Sequence, residues 1–159
     1  MRTGNPLRKT SAQIWRKAVL MLLLACCSAS LHAIDNPDAP DYVADFLERA
    51  KGYEDDIQRT PYTTQGYTSA YARYEDFLND ELDGAYNQLM AKLDDDEAKR
   101  VLSNSQKQWL RYRDEEFEFI ACNWTQTRFG SAAVISRGDY RTTIVNNRIV
   151  LLLRYLQNF

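Results

Sequence analysis

The sequence predicts an all-α protein, an antiparallel bundle of three to four helices with two long central helices. Three observations carry this expectation. Gly and Pro are scarce, six and four in 159 residues, while apolar residues make up 45% of the chain. Such a composition supports a packed core and favours helix over a sandwich or barrel. An apolar stripe, Tyr67, Tyr71, Tyr74, Leu78, Leu82, Ala85, Leu89 and Leu93, recurs every three or four residues in one phase, the periodicity of a helix with one buried face. The stretch Ser105–Asp114 contains no Gly or Pro and sets Gln106, Trp109, Arg113 and Asp114 at helical spacings.

The N-terminus belongs to a different class of segment. Arg2, Arg8, Lys9, Arg16 and Lys17 lead into an apolar run, Ala18–Ala25, followed by small residues up to Ala33. That order is the one of a secretory signal peptide, and the run falls short of the ~20 apolar residues of a membrane span. Residues 1–33 are therefore expected to be a signal peptide and residues 34–62 a leader with the first helix. Residues 63–159 form the main helical domain. Leu23-Leu24-Ala25-Cys26 also reads as a lipobox, which would leave Cys26 as a lipidated first residue; the soluble form is the preferred reading.

Removal of residues 1–33 leaves 15 basic against 22 acidic residues, a net charge of −7. The imbalance sits in residues 35–118, with 21 acids against ten bases, whereas residues 119–159 carry five bases against Asp139 alone. An acidic body disfavours nucleic acid and anionic membrane as ligands and suits a basic protein partner. Acidic solvated helix faces give the same pattern without any partner. His32, the only His, leaves with the leader, so no His-based triad or His metal site is expected. Cys122 remains as a single thiol, and flanking Ile120 and Trp124 suggest burial.

Along the rest of the chain, Asp41 is placed to cap a helix reaching about Gln58, with Tyr42, Phe46, Ala50 and Tyr53 inward and Thr60-Pro61 as its stop. Thr63 or Thr64 opens the long stripe-bearing helix. Within it Gly84 costs about 1 kcal/mol of helix propensity and suggests the close approach of another helix. Asp94-Asp95-Asp96-Glu97 ends that helix and caps the next; the run lacks the spaced ligands and glycine of a calcium loop. The third helix is expected to turn Ala98, Leu102, Ser105, Trp109, Tyr112 and Phe119 or Ile120 inward. Acids Asp114–Glu118 form its outer side, and neighbouring acids on one helix cannot flank a single glycosidic bond. Residues 123–140 read as irregular, with turn signals at Gly130-Ser131 and Arg137-Gly138-Asp139. A final helix over about Tyr140–Asn158 carries Ile144, Val145, Ile149, Leu152, Leu153 and Leu156 inward.

Two sets of candidate functional residues follow. Trp124, Arg128, Ser131 and Arg137 cluster in the irregular region, and Trp and Arg are the residue types that dominate binding hot spots. Trp124 with Phe129 would equally serve to close the end of the bundle. Gln106, Trp109, Arg113, Asp114 and Arg148 read as a structural polar cluster at the core edge, in preference to a ligand pocket, because an unpaired buried guanidinium costs several kcal/mol.

Leu82-Asp83, Tyr86, Leu89 and Leu93, then Leu102, Gln106, Trp109, Arg113 and Asp114, then Gly130-Ser131, Arg148 and Leu152 resemble the LprI-like lysozyme-inhibitor family over roughly residues 63–156. The resemblance implies an exported bacterial helical binding protein with no cofactor, acting on lysozyme. Phe117 stands where the family usually has Cys, and its other usual Cys positions also lack Cys, so the implied disulfides are missing. A protein partner is expected, a basic lysozyme or a periplasmic toxin neutralised by an immunity protein; an envelope scaffold or small-ligand binder is the remaining class. An enzyme is disfavoured, since no catalytic constellation survives loss of His32.

Overall fold

A computed structural model describes residue 36 and residues 38–159. The expected signal peptide, with Cys26 and His32, lies outside the described residues. Five helices follow: α1 Tyr42–Arg59, α2 Thr64–Lys92, α3 Asp96–Asn123, the single turn α4 Gln126–Phe129, and α5 Ala132–Leu156. No strand occurs among the described residues.

Local chemistry sets the ends of the first three. The Asp41 carboxylate accepts from the Ala44 N–H at 2.9 Å, the Thr63 hydroxyl from Gly66 at 3.0 Å, and the Asp95 carboxylate from Ala98 at 2.9 Å. Each satisfies one orphan donor of a first turn, an interaction worth about 1 kcal/mol. Asp96 and Glu97 add negative charge at the N-terminus of α3.

Successive long helices are antiparallel. Arg49 of α1 pairs with Glu81 of α2 while Tyr53 stacks on Tyr74. On α5, Arg148 meets Gln106 of α3 and Tyr140 meets Trp124. Alternate helices are therefore parallel, and the largest interface joins one such pair, α2 and α5. Their core is continuous: Tyr74, Leu78, Leu82, Ala85 and Leu89 of α2 pack with Val145, Ile149, Leu152, Leu153 and Leu156 of α5, and α1 adds Phe46 and Ala50. Phe77, outside the periodic stripe, stacks on Tyr53 at 4.4 Å and extends this core toward α1.

Several expectations are corrected. The last helix begins at Ala132, so Arg137-Gly138-Asp139 is helical and not a turn. Gly138 is buried against α2, and a methyl group there would overlap the Tyr71 ring. The close helix approach expected at Gly84 thus occurs at Gly138. Around Gly84 only the flexible Gln88 side chain lies near, at 4.0 Å.

α3 is long but peripheral, and buries only Gln106 and Ile120 fully. Tyr112 is half exposed and Phe119 is exposed, while Phe117 turns toward the core instead. Ser105 is exposed, although it contacts Arg148. Cys122 is also exposed. It follows buried Ile120 by two residues, which on a helix is about 200° of rotation, so it emerges on the opposite face. Ile144 is only half-buried.

The two glycines give opposite expectations. Gly138→Ala should destabilise the fold by about 2–4 kcal/mol, since the overlap is with a packed ring. Gly84→Ala should stabilise it by about 0.5–1 kcal/mol by restricting the unfolded chain. Urea unfolding of both variants checks the pair.

Candidate functional site

The structure brings Gln106, Trp109, Arg113, Asp114 and Arg148 together. Gln106, Trp109, Arg113 and Phe117 follow at spacings of three and four and share the face of α3 that meets α5. From α5, the Arg148 Nε donates to Gln106 Oε1 at 3.0 Å, and an Nη donates to Ser105 Oγ at 3.4 Å. The Arg148 guanidinium lies 5.7 Å from the Trp109 ring centroid, and that of Arg113 lies 5.8 Å from Trp109 and 5.8 Å from Phe117. Arg141 closes the series 4.9 Å from Phe117. Three guanidiniums therefore alternate with two aromatic rings along the α3–α5 seam.

Charge compensation along this ladder is uneven. Arg113 bonds to the carboxylate of its neighbour Asp114, at 2.7 Å and 3.0 Å. Arg141 approaches Glu75 of α2 only to 3.9 Å, and its buried Nε has no partner among the described residues. Burial holds the Glu75 carboxyl above its usual range, against the pull of Arg141. Arg148 is 92% buried and contacts no carboxylate among the described residues, and desolvation pushes its pKa down. A guanidinium remains charged in this setting, so neutral hydrogen-bond acceptors and the Trp109 face carry its stabilisation. The cavities of about 430, 470 and 290 Å³ are lined by other residues, apart from Ser105 at one and Arg141 at another.

The other candidate residues stand at one end of the bundle and beyond. Trp124 terminates α3, half-buried between Phe119, 5.9 Å away edge-on, and Tyr140 at 4.5 Å. The connection to α5 is the one-turn α4, closed by Gly130 at φ +57°, a conformation that favours glycine. Arg128 is exposed there, lying over Phe129 at 5.5 Å and reaching Asn123 only at 3.5 Å. Ser131 precedes α5 and is exposed, with no side-chain capping bond. Arg137 belongs to another surface: it donates to the Ala133 carbonyl and lines the 290 Å³ groove between α2 and α5 with Glu75 and Arg141.

A polar network between α1, α2 and α5 was not anticipated. The Tyr71 hydroxyl donates to Asp139, and the Tyr74 hydroxyl donates to Glu54 at 3.0 Å while accepting from Asn146. All line the 430 Å³ cavity. The periodicity of the stripe favours a core position for both tyrosines over a ligand surface, and the polar ends of their rings are the available signal for the network. Burial, reinforced by Asp139, pushes the Tyr71 pKa up; burial, opposed by Asn146 and reinforced by Glu54, pushes that of Tyr74 up to about 12.

The described residues thus form a helical bundle with an arginine–aromatic seam between α3 and α5 and one exposed cation, Arg128, on the connection. A protein-family model described as Lysozyme inhibitor LprI matches residues 56–152. The chain belongs to this lysozyme-inhibitor family. No curated protein and no solved structure matches it.

Two measurements test the site as built. Arg148→Ala leaves Gln106 unpaired and a void beside Trp109, and should cost about 2–4 kcal/mol in urea unfolding. A tyrosine whose pKa is raised on folding stabilises the fold fully below its unfolded value near 10, and that contribution is lost as pH rises through the folded value. Stability should therefore fall between about pH 10 and 12. The Tyr71→Phe/Tyr74→Phe variant should show a flatter decline over the same window.

Proposed function

We propose that this protein is an exported inhibitor of lysozyme that acts as a binding protein rather than an enzyme. Membership of the lysozyme-inhibitor family carries this reading. The basic, apolar and small-residue order of residues 1–33 supports export to the periplasm or beyond, where a peptidoglycan hydrolase would be met.

The contact surface is the α3–α5 connection with Trp124, Arg128 and Ser131, and Arg137 contributes from the adjoining helix. Lysozyme chemistry places two carboxyl groups across a sugar cleft. An inserted segment that meets them needs a cation without a committed counter-charge and a small polar neighbour. Arg128 fits, since it forms no ion pair among the described residues. Ser131 supplies an uncommitted hydroxyl three residues later. Trp124, pinned between Phe119 and Tyr140, fixes the base of the segment. The acidic body would speed encounter with a basic lysozyme.

The test is inhibition of a panel of lysozymes by the purified protein, with binding followed by calorimetry. Submicromolar binding with loss of lysozyme activity is expected. Arg128→Ala should weaken inhibition by about tenfold or more, a hot-spot effect, with an unchanged circular dichroism spectrum. Absence of binding to every lysozyme at tens of micromolar would overturn the reading. Full potency of Arg128→Ala would remove this segment as the contact.

A further inference from the structure

Arg137 and Arg141 stand four residues apart on α5, a spacing that sets both side chains on one face with their Cβ atoms about 5–6 Å apart. On α2, Thr68, Ala72 and Glu75 follow at spacings of four and three and share the face across from them. The contact of Tyr71 with Gly138 holds the two helices close at this level. Together with Val134 these side chains line the 290 Å³ groove between α2 and α5.

The donors of the two guanidiniums are almost entirely uncommitted. Arg137 Nε donates to the Ala133 carbonyl one turn back, at 3.3 Å, and its Nη groups have no partner among the described residues. Arg141 forms no hydrogen bond among the described residues, although its Nε is buried. The Phe117 ring, 4.9 Å from the guanidinium, nevertheless holds that side chain in place. Buried donors are almost always paired, so an unpaired one beside a groove calls for an acceptor from outside the chain. Glu75 does not fill the role. Its carboxylate stays 3.9 Å from an Arg141 Nη, beyond hydrogen-bonding distance, and burial holds its carboxyl above the usual range. Two cations against one acid leave the groove with a single excess positive charge in an otherwise acidic protein.

We propose that this groove binds a small carboxylate with a short apolar stem, either a simple organic acid or the C-terminus of a short peptide. A carboxylate matches the single excess charge, and its two coplanar oxygens match the planar donor fork of a guanidinium. Arg141, turning in its own plane over Phe117, and the free Nη groups of Arg137 share the two oxygens. Ala72 and Val134 face the stem. Glu75 repels the incoming charge, so neutralising it strengthens binding. The site is separate in kind from lysozyme inhibition and shares only Arg137 with that contact surface.

Nuclear magnetic resonance titration of isotope-labelled protein, purified from cells expressing the full chain, tests this at low salt and without lysozyme. The probes are butyrate, N-acetyl-alanyl-alanine and, as the neutral control, butyramide. A dissociation constant of about 1 mM or tighter is expected for a carboxylate probe, with the Nε–H signals of Arg137 and Arg141 shifting as it binds. Binding of butyrate, with or without the dipeptide, assigns the site to simple organic acids; binding of the dipeptide alone assigns it to peptide C-termini. Arg137→Gln should weaken binding about tenfold by removing a charged donor pair. Glu75→Gln should strengthen it about three- to tenfold by removing the opposing charge. Both variants are read with an unchanged helical circular dichroism spectrum. Arginine signals that stay fixed up to about 20 mM of each carboxylate, an equal response to butyramide, or an affinity unchanged in either variant overturns the proposal.

Discussion

The contact of the Tyr71 ring with Gly138 governs much of the arrangement. Only a residue without a side chain lets α5 approach α2 this closely, and Gly138 is buried by the ring. Glycine within a helix costs about 1 kcal/mol; the close packing of two long helices offsets that cost many times over. Three features follow from the contact. Gly138 lies within the helix, which begins at Ala132, so the irregular connection is confined to a few residues around α4. The Tyr71 hydroxyl comes within reach of Asp139, one residue beyond the glycine. The parallel α2–α5 pair becomes the centre, so α1 and α3 act as flanks and α3 is left with little coverage.

Attachment of α3 then rests on the seam of Arg148, Trp109, Arg113, Phe117 and Arg141 together with the packing of Leu102, Trp109, Phe117 and Ile120. Phe117 accepts two guanidinium contacts in this seam. A cation–π contact contributes about 0.5–1 kcal/mol at exposed sites and about 2 when desolvated. Several such contacts are of the same order as the ~2–4 kcal/mol of a native disulfide. The two devices nevertheless differ in kind. A disulfide acts largely by constraining the unfolded chain, while this seam acts only once α3 and α5 have met.

The parts of this design that were legible in the sequence depend on one helix at a time. The stripe from Tyr67 to Leu89 is buried as its period implies, and the side chains of Asp41, Thr63 and Asp95 cap the helices that begin after them. The approach of Gln106, Trp109 and Arg113 to one another followed from helical spacing, and the inclusion of Arg148 from the family pattern. What was missed depends on two helices meeting. Gly138 gives the same local signal as a turn glycine, and only the opposing Tyr71 ring distinguishes them. The sequence neighbours of Cys122 suggest burial, yet on a helix they point elsewhere. Tyr71 and Tyr74 count as hydrophobic in the stripe, yet their hydroxyls reach carboxylates on helices that no local pattern identifies as adjacent.

The distribution of charge bears on how an acidic protein could inhibit an enzyme whose cleft is itself acidic. The two requirements act over different distances. Approach is governed by the summed field, which for residues 35–118 is negative and would attract a basic enzyme over a screening distance of about 8–10 Å. Contact is governed by the few groups that enter the cleft, and there a carboxylate would be repelled. Residues 119–159 reverse the sign, with Arg128 on an exposed turn held clear of the acidic stretch Asp114–Glu118 by the last turn of α3 and by Trp124. One exposed cation at the connection, with the acidic majority on the helices behind it, would combine attraction during approach with complementarity at contact in the same molecule.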